Sequence, residues 1–331
     1  MVRPLRTLGG LALLGLFVGL APLARSDGPK RDKPFEAKPL TELGTAKYKQ
    51  KEGGLYPGGK NERPAAHEAA GLALAKTVRC LDADGKPSEN GCIVLLSVGM
   101  SNATQEFSAF QQMAERDQRK NPLLTIVDGA QGGMTALRIQ DPDDHGSGTR
   151  YWDEVDRRLK AAGVTRAQVE VAWVKEADAQ PTQAFPKHAE MLTDELVKIA
   201  RVLHDRFSNM KLAYVSSRTY GGYAKTNLNP EPFAYETGFA VKWLVERQIQ
   251  GKDDLNSDAA KGKVRSPWLS WGPYLWGSGP TARSDGLVWE PSDFTTQDGT
   301  HPTDSGRRKV ADILLKFFTT DPTASPWFLA P

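Results

Sequence analysis

The sequence predicts an α/β fold: a three-layer α/β/α sandwich around a mostly parallel sheet of about five strands. Three observations predict it. Short apolar runs alternate with longer amphipathic stretches, the rhythm of strand–helix–strand units. The chain from about residue 50 to 320 exceeds the ~100–200 residues of an ordinary domain but suits one α/β unit with long loops. No internal repeat or long low-complexity tract follows residue 60.

Residues 1–26 pair two early arginines with an uncharged apolar run and end on the small-residue site Ala24-Arg25-Ser26. That is the layout of a cleaved secretory signal, so the protein is expected to be secreted or periplasmic. The apolar run is broken by Gly9, Gly10, Gly15, Gly19 and Pro22 and is shorter than the ~20 residues of a membrane span, so no stable membrane insertion is expected. Residues 27–60 are rich in Lys, Pro and Gly and read as a polar linker or wrapping arm. Residues 61–331 form the expected folded domain.

Within that domain a helix is expected over 64–78, with Pro64 suited to its first turn. Strands follow at 93–98 (IVLLSV), 123–127 (LLTIV), 169–174 (VEVAWV), 212–215 (LAYV) and 268–271 (WLSW). Between and after them, helical patterns cover 148–162, 183–207, 232–250 and 303–318, and a further helix is expected just after Ser101.

Removing residues 1–26 takes away three arginines and no acid, leaving forty basic side chains against forty acidic. With no basic stripe interleaved with aromatics, a nucleic-acid partner is not expected, and a small-molecule or carbohydrate substrate fits better. The two cysteines, Cys80 and Cys92, flank a polar stretch bearing Gly and Pro and are expected to pair as one local disulfide in an oxidising compartment. The acidic loop holding Asp141, Asp143 and Asp144 lacks the glycine and glutamate positions of an EF-hand, so no metal and no cofactor are expected.

The strongest local signal is IVLLSVGMSNATQEF, where an apolar strand stops at Gly99 and places Ser101 at its carboxyl end. Ligands bind at that edge in open α/β sheets. A serine hydroxyl needs a base to become a nucleophile. The candidate base lies near the other end, in QDGTHPTDSG, where Asp298 and His301 stand three apart in a turn before the last helix. The spacing lets the carboxylate hold the imidazole tautomer while the ring reaches the serine.

The order Ser101, Asp298, His301 resembles the SGNH (GDSL-like) hydrolases, in which a Gly-x-Ser block after the first strand pairs with a late Asp-x-x-His-Pro block. Gly99-Met100-Ser101-Asn102 is closest to the Gly-Gln-Ser-Asn of sialate O-acetylesterase-like carbohydrate esterases. The resemblance implies a flavodoxin-like architecture and a serine esterase acting through an acyl-enzyme. It also implies an oxyanion hole made by the Ser101 amide and a glycine of the block after the second strand, here Gly133 or Gly132, with Gly129 next.

The third family block departs from its pattern. Where the family has an asparagine, this chain has Ala172-Trp173-Val174-Lys175-Glu176. Two readings stand: Lys175 donates to the oxyanion, or Lys175 and Glu176 form an ion pair at the strand end. Asn102 and Gln131 are candidate substrate contacts, and Trp276 joins them from the cluster Trp268, Trp271, Tyr274, Trp276 and Trp289, whose rings suit stacking on sugars or core packing. The Tyr-Gly stretch at 218–224 is a candidate wall of the cleft. The expected substrate is a small acyl, most simply acetyl, ester on a carbohydrate. The alternatives are a lipid-type esterase of the same fold, a non-catalytic glycan-binding protein, and an envelope-attached structural protein.

Overall fold

The computed structural model describes residues 35–331, so the expected signal segment and the first part of the arm lie outside the described residues. Five strands form one sheet: β1 (Ile93–Gly99), β2 (Leu124–Asp128), β3 (Val169–Lys175), β4 (Leu212–Val215) and β5 (Trp268–Trp271). They pair in the order β2-β1-β3-β4-β5, every pair parallel. All seven residues of β1 and of β3 are buried, as strands covered on both faces must be, which is why they read as unbroken apolar runs.

Six long helices cover the sheet: α1 (Ala65–Ala75), α2 (Ser101–Ala114), α3 (Ser147–Ala161), α4 (Lys187–Arg206), α5 (Phe233–Ile249) and α6 (Asp304–Thr320). α2 and α6 pack together on one side and α4 and α5 on the other. On α4, Ala189, Leu192, Leu196, Ile199, Ala200 and Leu203 are buried at helical spacing, so its apolar stripe faces the sheet. The α/β/α sandwich is therefore the observed fold. Because β2 lies on one side of β1 and β3 on the other, the chain changes winding direction between β1 and β3, and open sheets hold their clefts at such a switch point.

Residues 35–60 lie folded on the domain. The Leu40 N–H donates to the Tyr274 hydroxyl at 3.1 Å, Tyr48 donates to Glu236 at 2.8 Å, and the Trp271 indole donates to the Leu55 carbonyl at 2.6 Å. Among the described residues no helix is long and apolar enough to cross a membrane.

The expected disulfide is not formed: Cys80 and Cys92 are free thiols. The reason is register. Cys92 pairs antiparallel with Leu81, exchanging both backbone hydrogen bonds at 3.0 Å. The residue facing Cys92 across that bridge is therefore leucine, and Cys80, one position along, points to the other face. Cys92 Sγ instead accepts from the Gln168 side chain at 3.3 Å.

Candidate active site

Two segments remote in sequence meet over the switch point. Gly99 ends β1, opposite Lys175 of β3, and Ser101 opens α2 two residues later. A Cβ on Gly99 would lie 2.4 Å from the Ala103 Cβ and 2.6 Å from the Lys175 carbonyl oxygen, so only glycine passes through this junction. The first amides of α2, including that of Ser101, have no acceptor within the helix and carry its positive end.

The second segment organises itself around one carboxylate. Asp298 Oδ1 accepts from the Thr295 hydroxyl at 2.8 Å, the Thr300 N–H at 2.8 Å and the His301 N–H at 3.0 Å. Its Oδ2 lies 2.5 Å from His301 Nδ1. Burial alone would raise the Asp298 carboxyl, but hydrogen bonds from the His301 side chain, the His301 and Thr300 amides and the Thr295 hydroxyl outweigh it and hold the group at about 2. An ionised carboxylate only accepts, so Nδ1 carries a proton, and in the neutral imidazole Nε2 is then the acceptor. That Nε2 lies 2.8 Å from Ser101 Oγ. Gly299 takes φ 63°, and a Cβ there would sit 1.8 Å from the Tyr223 carbonyl oxygen, so the turn can seat itself only with glycine.

Ser101, Asp298 and His301 are thus brought together, whereas the other sequence-selected residues are placed unevenly. Asn102 is buried and its side-chain amide donates to the Thr300 carbonyl at 2.8 Å. It cannot meet a substrate there. Instead it pins the start of α2 to the histidine turn. Trp276 is fully buried and its indole donates to Glu231 at 2.7 Å. Trp268, Trp271 and Trp289 are buried too, each indole N–H spent on a carbonyl, so the expected sugar-stacking rings belong to the core.

The glycine loop after β2 lies against the nucleophile. A Cβ on Gly132 would stand 4.0 Å from the Ser101 Cβ, whereas Gly133 faces Arg138, whose guanidinium donates to the Gly133 carbonyl at 2.8 Å. Gly129 is packed on the Ser97 carbonyl. Gln131 braces the loop: its N–H donates to the Gly99 carbonyl at 2.9 Å, and its side-chain amide to the carbonyls of Tyr151 at 2.9 Å and Gly129 at 3.2 Å. Asp128 ties the same loop to α2 by accepting from Ser97, Thr104, Ser108 and the Ala130 amide.

Lys175 is not an oxyanion donor, nor does it pair with Glu176. Its ammonium is buried against Glu106 of α2. Burial lowers it to about 8 against the pull of that carboxylate. Strand alternation sends Glu176 to the opposite face, where burial pushes its carboxyl well up, with Asp178 and Glu195 adding to the effect and the Ala177 amide and Arg218 opposing it. Burial, then Asp178, raises Glu195 to about 9.

Asp178 Oδ1 accepts the Leu137 N–H at 3.1 Å, and the Ala177 carbonyl accepts the Ala136 N–H at 3.3 Å, so this segment also supports the chain just beyond the glycine loop. Arg218 is buried among Glu106, Glu176, Glu231 and Asp298; burial lowers its pKa and those carboxylates oppose the fall. Glu106, Glu195 and Arg218 carried no signal in the sequence, because each draws its meaning from groups on other elements.

No protein-family model matches this chain, and no curated protein matches it in sequence. Solved structures similar to it include a lipase, Lip_vut3, from a goat rumen metagenome, with 8% identity over 70% of this chain and 99% of that one and a TM-score of 0.41. Protein YxiM from Bacillus subtilis aligns with 9% identity over 71% of this chain and 57% of that one, at a TM-score of 0.35. The periplasmic domain of a lipopolysaccharide acetyltransferase from Salmonella ser. Paratyphi A aligns with 12% identity over 76% and 94%, also at 0.35. At such identities and scores, any reading of function rests on side-chain geometry.

Proposed function

We propose that this chain is a serine-type ester hydrolase, with Ser101 as nucleophile, His301 as general base and Asp298 as the group that orients and charges the imidazole. The observation that carries the reading is the continuous relay from Asp298 Oδ2 to His301 Nδ1 at 2.5 Å and from His301 Nε2 to Ser101 Oγ at 2.8 Å. In the proposed reaction His301 takes the hydroxyl proton as Ser101 Oγ bonds to the ester carbonyl carbon. The negative charge that develops on the carbonyl oxygen is met by the amides of Ser101 and of Gly132, the glycine of the loop after β2 that faces Ser101, in place of Gly133. The imidazolium then gives its proton to the departing alcohol, and water activated by the same histidine releases the acid.

The proposed substrate is a short acyl ester carried by a carbohydrate, and the protein is proposed to act after export. The Gly-x-Ser-Asn block and the N-terminal segment support these two points. The buried tryptophans no longer do. A fluorophosphonate probe tests the chemistry: the wild type is expected to gain one adduct, mapped to Ser101 by peptide mass spectrometry. His301→Gln is expected to label at least about a hundredfold more slowly. Labelling at any other residue, or at equal rates in the two proteins, would refute the assignment.

A further inference from the structure

A groove of about 830 Å³ is lined by α2 and α6, the two helices that begin at Ser101 and just after His301. Its walls present Arg116 from beyond the end of α2 and Arg307 and Arg308 from α6, with Asp304 the one acid. Gln105 and Gln112 supply neutral hydrogen-bonding groups, whereas the Thr104 and Ser108 hydroxyls donate to Asp128. Ser101 and Gln105 are four apart on one helix face, and the Gln105 Oε1 accepts from Arg307 at 3.3 Å. Asp304, on the opposite wall, follows His301 by three residues. The Gln105 end of the groove therefore lies about one helical turn, ~5 Å of rise, along α2 from Ser101.

Charge in this groove is unusually free. Arg307 reaches Asp304 at 3.3 Å, but that carboxylate is almost wholly in solvent, and the Arg307 Nε is buried without a partner. Among the described residues neither Arg116 nor Arg308 has an ion-pair partner. A second basic hollow among the described residues is different. There Arg166 and Arg206 both close on Asp156, and Lys198 donates to Gln140 at 2.8 Å. Guanidinium forks select planar carboxylates bidentately, and amide neighbours suit sugar hydroxyls. The groove wall holds no aromatic ring on which a nucleobase would stack.

We propose that this groove binds the carboxylates of an acidic oligosaccharide, placing an ester on a neighbouring sugar at Ser101. The second half of that statement rests on the esterase reading; the first half does not. The size fits a few sugar rings, within the ~300–1,000 Å³ of ordinary ligand sites.

The test measures binding without turnover. Tetragalacturonate is titrated calorimetrically into Ser101→Ala protein, with cellotetraose as the neutral counterpart. Saturable binding of the acid is expected, weakening as salt rises from about 50 to about 200 mM, with none of cellotetraose. Adding Arg116→Gln and Arg308→Gln together is expected to cost about tenfold or more in affinity, whereas Lys198→Gln with Arg201→Gln, which removes the same charge from the other hollow, leaves it unchanged. Thermal melts of all variants separate lost binding from lost fold. Absence of tetragalacturonate binding, equal affinity in the groove variant, or tighter binding of an oligodeoxynucleotide would each overturn the proposal. Loss of the esterase reading would show separately, as Ser101→Ala protein that still hydrolyses esters.

Discussion

The histidine turn and the end of β3 both place carboxylates beside the nucleophile, yet they satisfy them in opposite ways. In the turn, every hydrogen bond to the Asp298 carboxylate comes from within three residues, and the group is held ionised at about 2. At the end of β3, Lys175, Glu176 and Asp178 face partners from α2, α4 and the loop after β4, and oxygens of Glu106, Glu176 and Glu195 are left buried without hydrogen bonds. Local closure fixes the turn and keeps its carboxylate ionised. Assembly by topology makes a support whose charge state depends on how the whole sheet edge packs.

The comparison breaks most sharply at Asp298. Asp298→Asn retains the shape of the turn but exchanges an obligate acceptor for a donor–acceptor group, so the imidazole loses its fixed tautomer. Ester turnover is expected to fall about 10³–10⁴-fold, with a lower melting temperature near neutral pH. The aspartate's contribution to stability is fully present above its ordinary value near 4 and is lost as pH falls toward about 2, so the two proteins' stabilities should converge only in strong acid.

Glu106→Gln attacks the other region. It leaves the Lys175 ammonium buried beside Arg218 with no counter-charge, and urea unfolding is expected to show a loss of about 3–5 kcal/mol. Replacing both partners, Glu106→Gln with Lys175→Met, should recover much of that loss. By contrast, cutting the exposed Glu154–Arg157 pair should cost under about 1 kcal/mol.

Asn102 joins the two segments. Asn102→Ala frees the Thr300 carbonyl and is expected to lower kcat about tenfold while leaving KM within about twofold, because it acts through the His301 position and not on the substrate. A further effect concerns pH. Glu195 keeps its proton in the folded protein to about 9 but ionises near its ordinary value when unfolded, so stability should fall as pH rises between those values. Glu195→Gln should flatten that slope in thermal melts at pH 5 and pH 8.

The five strands were legible in the sequence to within a residue or so, because a fully covered parallel strand must be a continuous apolar run and few other elements are. Helix ends drifted more: the pattern over 183–207 became Lys187–Arg206, and the one-turn helix Ala136–Ile139 was not foreseen. The relay was legible for the reason the histidine turn is self-contained. Asp298 and His301 meet through their own spacing, and Ser101 is delivered by a strand end.

What stayed hidden depends on distance along the chain. Glu106 and Lys175 are 69 residues apart, Asn102 and Thr300 198 apart, and neither contact leaves a local pattern. The groove arginines are similarly split between residue 116 and residues 307 and 308, so a near-neutral overall composition concealed a concentrated positive site. The tryptophans misled because clustering in sequence says nothing about which face of a wall a ring takes. The cysteines misled because a turn-rich spacing does not set cross-strand register.

The most direct test of the central claim is hydrolysis of p-nitrophenyl acetate by the protein beside Ser101→Ala prepared in the same way, with circular dichroism to show both folded. The relay predicts saturable turnover in the first and a loss of at least about a thousandfold in the second. Equal rates in the two, or none in either, would contradict Ser101 as an ester-cleaving nucleophile.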